Sequence, residues 1–371
     1  MRLPQLAWCK VKVLSLVSLT ALFLGCGIFG GVSIDIRGSS TKDKDFKTPE
    51  MTLTVPEEVP FKQEAKAEFS KLIDESLKKI TKSKGDTKET AERLKRFSLL
   101  LKQANSEEEL YRLVKGSQGK APFAKHDVTE RNQVLFTGYY KPLFKGSLHR
   151  SKNYAAPLYS ALRLGTALTR RELVTEGLLK ANELVYLKDP FEAYLAEIQG
   201  SVGILLESGE ILHYAFAGSN NQKYLSIGSE LVIDGKLKKS EATIPGIRAY
   251  FETHPGSMRE YILRNPRQVF FRKSLGKTLG SAGVELLKER AVATDRLIYP
   301  PGSILFVKVE IPLKQADGEW GVITLKKFMI ALDSGSAIIG PNRIDLFLGD
   351  GAKVGEVAGR LNSRGKLEVF E

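Results

Sequence analysis

The sequence predicts a mainly β fold with added helices. After about Gln133 it breaks into short apolar runs punctuated by Gly and Pro: VLFTGYY, GSVGILLESGEILHYAFAG, QVFFR, GSILFVKVEI, WGVITLKKFMIAL and RIDLFLG. These runs lack the strand-helix alternation of a parallel α/β sheet, which leaves a barrel or a sandwich. Ahead of them, from Phe61, apolar residues recur at helical spacing instead.

The elements follow in order. MRLPQLAWCKVKVLSLVSLTALFLGC carries Arg2, Lys10 and Lys12 before an apolar run from Val13 to Leu24. A run of about twelve residues is too short for a stable membrane span, so residues 1–25 read as an export signal. Cys26 follows the small Gly25, as at a bacterial lipoprotein cleavage site where the cysteine becomes the lipidated first residue. A plain signal peptide or an uncleaved anchor is the alternative. Cys9 and Cys26 are the only cysteines, so a cleaved chain has no internal disulfide and takes its stability from burial.

The formal charge is +13, and loss of the three basic residues of the leader leaves 53 Lys+Arg against 43 acids, about +10. That excess suits an anionic partner. Nucleic acid does not fit an exported chain; anionic cell-wall polymer or lipid head groups do, and charge serving solubility alone is an equal alternative.

Residues 26–60 mix Gly, Ser, Lys and Pro without periodicity, as a tether would. Phe61, Ala65, Phe69, Leu72, Ile73, Leu77 and Ile80 then define an amphipathic helix. Asp86 with Glu89, and Ser106 with Glu109, are capping-box signatures for two more helices. In LLESGEIL, Ser208 and Gly209 mark a hairpin turn, and helical pieces lie at 239–263.

Several chemistries are excluded. His126, His149, His213 and His254 are scattered, without metal-ligand spacing, so no metal and no cofactor is expected. Phe271 stands where a phosphate-binding loop ending in Gly276, Lys277 and Thr278 needs glycine, and no GxSxG elbow is present. Carboxylate chemistry remains. A carboxylic acid kept protonated near neutral pH can protonate the leaving oxygen of a glycosidic bond. In RIDLF, alternation puts Arg343, Asp345 and Phe347 on one strand face and Ile344, Leu346 and Leu348 on the other. Phe347 would raise the Asp345 pKa by desolvation and Arg343 would lower it. Asp333, before SGSA, and Asp350, in GDG, read by themselves as turn formers sooner than as catalysts.

Six segments resemble, in order, those of the membrane-bound lytic murein transglycosylase A family: FTGYYKPLFKGS, YAAPLY, IQGSVGILLESGEILHYAFAGSNNQKYLSIGSELV, NPRQVFFR, GSAGVELLKERAVATDRLIYPPGS and ALDSGSAIIGPNRIDLFLGDGAKVGEVAG. The resemblance implies a double-psi β-barrel over 61–145 and 263–371, with the N-terminal helices, interrupted by a β-rich substrate domain at 146–262. Asp295, Asp333 and Asp345 match the family's three-aspartate domain. By that resemblance Asp345 is the catalytic acid, Asp333 tunes it, and Asp295 supports the site. Thr137, Tyr139, Tyr140, Gln199, Ser201, Asn220 and Tyr224 are the implied substrate contacts, the two tyrosines as platforms for sugar faces.

The implied reaction is exolytic cleavage of the β-1,4 bond between N-acetylmuramic acid and N-acetylglucosamine, leaving a 1,6-anhydro end. The implied partners are peptidoglycan glycan strands, the outer membrane through a lipid on Cys26 at its periplasmic face, and other cell-wall enzymes. An inverting hydrolase on the same barrel, or a silent glycan-binding protein, stays open. The chain departs from the family pattern at Ser336, where a Gly is usual, at Ile339, where a Lys is usual, and in one extra residue before Asp345.

Overall fold

The computed structural model describes residues 60–81, 88–117, 129–162 and 167–370; the leader, Cys26, the tether and Asp86 lie outside these. Three helices come first, α1 (Gln63–Ile80), α2 (Lys88–Gln103) and α3 (Glu107–Gly116). Ser106 caps α3 by accepting from the Glu109 amide, while Glu109 returns its carboxylate to Asn105 rather than to Ser106. Phe69, Phe97 and Leu110 are fully buried against Phe328 and Ile330. Burying each such side chain contributes about 1.5–3 kcal/mol.

The barrel is closed by six strands: β1 (Thr129–Lys141), β8 (Ala291–Ala293), β9 (Ile304–Lys314), β10 (Trp320–Asp333), β11 (Arg343–Asp350) and β12 (Asn362–Phe370). Their order is β1-β11-β8-β10-β9-β12. Alternate residues fill its interior, with Phe136, Val292, Leu305, Met329, Ile344, Leu346 and Leu367 in one cluster. The other face of β1, β8, β10 and β11 presents Tyr139, Ala293, Leu332 and Phe347 to the helices. The alternation expected for RIDLFL is therefore what the strand adopts.

Between β1 and β8 the chain builds a second sheet, ordered β3-β4-β2-β5-β6-β7. Its strands are β2 (Leu143–Ser147), β3 (Ala156–Tyr159), β4 (Glu183–Leu187), β5 (Ser201–Leu205), β6 (Ile211–Ser219) and β7 (Val269–Ser274). The β5–β6 hairpin turns where expected, with Gly209 at φ +85°. Two placements differ: Leu143, Phe144 and Lys145, assigned above to the barrel half that ends at 145, pair with β5 in the second sheet, and β7 is the other. β7, assigned above to the barrel half that starts at 263, pairs with β6 and sends Val269 and Phe271 into the core of the second sheet. Composition cannot tell which sheet edge an apolar strand will join.

Helix α4 (Pro190–Gln199) lies under this sheet, capped by Asp189 and closed by Gly200 in the left-handed conformation at φ 72°. Its position matters because its C-terminal end supplies Glu197 and Ile198 to a cavity wall and Gln199 to the Tyr140 amide on β1.

Candidate active site

Strand register makes the site. Thr137 on β1 pairs with Asp345 on β11, Asp345 pairs with Ala293 on β8, and Ala293 pairs with Asp333 on β10. Paired residues on neighbouring strands project from the same face of a sheet. Thr137, Asp345, Ala293 and Asp333 thus form one row across four strands. Small Ala293 in the middle leaves the two acids room.

Asp345 is partly buried, and Thr137 donates to its Oδ1 at 2.7 Å. Burial pushes its carboxyl up to about 6, and Asp333 adds to the rise; the Thr137 bond and the Arg343 charge oppose it. Desolvation wins over the guanidinium. Asp333 is held by three donors: Tyr139 Oη at 2.9 Å on Oδ2, and the Ser281 and Ser334 amides at 2.9 and 2.8 Å on Oδ1. Burial raises its pKa too, against those donors. The Ser281 loop can reach Asp333 because Gly280 sits so close to the chain that an added Cβ would lie 2.4 Å from the Leu332 carbonyl.

Asp295 stands two residues past Ala293 and accepts from the Leu297 and Gly340 amides at 3.1 and 2.9 Å. It ties the turn after β8 to the loop that leads into β11. That loop carries both sequence departures. Ser336 lies outside the positive-φ region, so the backbone there does not require glycine. Ile339 is 73% exposed, an apolar side chain in water where the family pattern has a cation.

Of this row, Asp345 opens on a cavity of about 330 Å³ between barrel and insertion. Asp345, Arg343 and Ser336 line its barrel side; Tyr194, Tyr224 and Arg267 line the other. Volumes of that order suit a small ligand or a few sugar units. Tyr224, one of the expected contacts, is among the lining residues. Gln199 is nearby but committed: its Oε1 accepts from the Tyr140 amide at 2.9 Å, joining insertion to barrel.

Four expected contacts fall elsewhere. Tyr139 is 9% exposed, packed on Phe347 at 5.3 Å between ring centres with its hydroxyl spent on Asp333. Burial and the neighbouring Asp333 and Asp345 hold that phenol protonated, well above its ordinary range. Tyr140 is buried with its ring against Gly355. Neither has a face free for a sugar, because the strand's two faces here point into the two halves of the core. Asn220 is fully buried, and its amide donates to the Leu168 and Pro266 carbonyls at 2.8 Å while its carbonyl accepts from Gln268. It latches three segments together. Ser201 is buried in β5 opposite Ala215.

Replacing Tyr139 by Phe keeps the packing and deletes one donor to a buried carboxylate. Chemical denaturation is expected to show a loss of about 1–3 kcal/mol; an unchanged midpoint would mean that the bond to Asp333 carries no weight.

Sequence reasoning missed Arg170 and Glu197. They form a buried bidentate pair at 3.0 and 2.6 Å inside the cavity wall. Arg170 also donates to the Asn265 and Arg267 carbonyls. No sequence signal marks a pair 27 residues apart.

A sequence profile of the MltA specific insert domain matches residues 162–272, and one of the 3D domain matches residues 290–371. The membrane-bound lytic murein transglycosylase A of Escherichia coli K12 is 33% identical over 242 residues, 64% of this chain and 66% of the relative. A homologue of that protein from Buchnera aphidicola is 30% identical over 260 residues, 67% of this chain and 69% of the relative. The chain belongs to the membrane-bound lytic murein transglycosylase A family. It spans slightly under two thirds of the length of the E. coli member of that family.

A crystal structure of E. coli MltA superposes with a TM-score of 0.54 at 26% identity, covering 90% of this chain and 98% of the other. Another, of E. coli MltA with bound chitohexaose, gives a TM-score of 0.68 at 24% identity over 92% and 94% of the two chains, a likeness of fold. The closed barrel with its added sheet and helices is therefore the family's fold.

Proposed function

We propose that this chain is a lytic transglycosylase that cleaves the β-1,4 bond between N-acetylmuramic acid and N-acetylglucosamine in peptidoglycan, with Asp345 as acid and then base. One observation carries the reading: a single carboxyl that titrates near 6, hydrogen-bonded to Thr137, opens on an interdomain cavity. Family membership and the glycan bound in the structure of E. coli MltA support it.

In the proposed sequence Asp345 gives its proton to the glycosidic oxygen as the bond from that oxygen to the muramic anomeric carbon breaks. The muramic 6-hydroxyl oxygen then bonds to the anomeric carbon, and its proton returns to the Asp345 carboxylate. Atoms and protons balance without water. One protein carboxylate suffices, where an inverting hydrolase places two about 6.5–9.5 Å apart to activate water.

The hydrolase alternative is poorly served. Asp333 already accepts three hydrogen bonds, and Asp350 lies five residues along β11, about 16 Å away by strand rise, beside Lys141 at 3.5 Å. A silent binder would be favoured if Ser336 strained the loop beside Asp345, but Ser336 is not in the positive-φ region. In the working enzyme Asp333, through Tyr139 and the Ser281 loop, sets the field at Asp345, and Asp295 braces the loop beside it. A lipid on Cys26 would hold the chain at the outer membrane, in keeping with the membrane-bound name of its relatives; among the described residues no helix is long and apolar enough to cross a membrane.

Mass spectrometry of the soluble products from murein sacculi tests the reaction. Products lighter by one water than hydrolytic muropeptides are expected; hydrated products would overturn the transglycosylase. The pH profile tests the acid. Because the protonated form is the active one at the first step and its pKa is about 6, the rate is expected to fall about tenfold per pH unit well above 6. A rate that instead climbs through that range would remove Asp345 from the acid role.

A further inference from the structure

The cavity wall carries more positive charge than the described residues neutralise. Arg170, Arg267 and Arg343 all line it. Arg170 is matched by Glu197. Arg267 is partly buried, donates only to the Gln222 carbonyl through Nη1, and has Glu197 as a more distant charge already engaged by Arg170. Arg343 forms no ion pair or hydrogen bond among the described residues, although it sits two residues from Asp345 on the same strand face. With Asp345 protonated, three guanidinium groups face one carboxylate.

Leaving guanidinium groups half-buried and unpaired has an energetic cost; desolvation already pulls the Arg267 pKa below its ordinary value. An arginine fork matches a carboxylate through two parallel N–H bonds. The sugar backbone of a glycan strand is neutral, so it offers no such partner. Murein differs from a plain N-acetylglucosamine polymer in carrying carboxylates, either on the lactyl ether of peptide-free strands or on the stem peptides.

We propose that Arg267 and Arg343 form a carboxylate-recognition wall, so that the cavity selects glycan strands by an anionic substituent as well as by their sugars. The proposal rests on the transglycosylase reading and names what its substrate must carry. It also gives Arg343 a second effect. A carboxylate bound there cancels the positive field that pulls the Asp345 pKa down, while Asp333 and the Arg170–Glu197 pair keep their own partners. Anionic substrate would then hold the acid protonated.

The test is calorimetric binding to the chain carrying Asp345→Asn, which prevents turnover. Three probes are used: the neutral N-acetylglucosamine hexamer, peptide-free murein strands with lactyl carboxylates, and murein strands with stem peptides. Arg343→Gln and Arg267→Gln are each expected to weaken a carboxylate-bearing strand about tenfold or more, with the neutral hexamer changed less than about twofold, and Arg343→Lys to recover only part of the loss. The strand that responds identifies the source of the carboxylate.

Equal weakening for all three probes, or none for any, overturns the proposal and leaves the transglycosylase reading intact. Failure of the parent to bind any glycan overturns both. Salt provides a readout without the arginine changes: binding of the anionic strands is expected to weaken as ionic strength rises while the hexamer's holds, and a shared salt response also counts against the wall.

Discussion

Asp345→Asn is expected to lower murein solubilisation by about 10²–10⁴-fold, the usual contribution of a positioned acid-base group, while the protein stays folded. Stability separates loss of chemistry from loss of structure. The carboxyl has a folded pKa of about 6 against an ordinary 3.8. The native state therefore binds more protons than the unfolded chain between those values, and stability falls as pH rises through that window.

Above pH 6 the burial of this charge costs up to about 3 kcal/mol. Asparagine keeps an acceptor for Thr137 and carries no charge, so the variant is expected to be more stable than the parent at pH 8, with the gap closing toward pH 4. Urea unfolding at both pH values, beside sacculus turbidity, measures the two effects together. A variant that loses activity and stability in parallel would mark Asp345 as a structural group.

Arg290→Ala is expected to produce the largest loss of stability, about 3–5 kcal/mol. Arg290 meets Glu107 in a bidentate pair at 2.9 and 2.8 Å, and also donates to the Phe328 carbonyl at 2.9 Å. Glu107 accepts from the Phe328 amide as well, and the Arg290 guanidinium lies 4.3 Å from the Phe69 ring centre. One pair thus joins α1, α3 and β10 at the base of the barrel. Truncating the arginine strands a buried carboxylate among aromatic rings. Adding Glu107→Gln to Arg290→Ala removes that charge and is expected to recover part of the loss; a double variant no more stable than the single would show that packing of the arginine stem, and not the orphaned charge, sets the cost.

Much of the site was legible because it is encoded locally. The 2-residue period of RIDLFL separates Asp345 from the barrel interior, the turn residues of LLESGEIL place the β5–β6 hairpin, and the spacing from Phe61 to Ile80 describes α1. The family resemblance then picked out Asp345, Asp333 and Asp295, all of which sit on or beside one row. Tyr139 and Tyr140 were misread because a strand with one face in the barrel and the other under helices buries both neighbours, which a lone strand sequence does not disclose. Asn220 was misread for a related reason: a polar residue in a Gly-Ser-Asn stretch looks exposed until three distant segments converge to satisfy it.

By itself the sequence determined which faces are apolar and where turns fall, since these depend on neighbours a few residues away; the carboxylates were singled out by the family resemblance. The tertiary structure alone decided that Thr137 and Asp345, 208 residues apart, share a hydrogen bond, that Asp333 stands on the same row, and that β7 closes the second sheet. It also brought Arg267 and Arg343 from different domains to one cavity. Strand partners and interdomain walls are chosen by which long-range pairings bury the most apolar surface while satisfying the backbone, and no local period reports that choice.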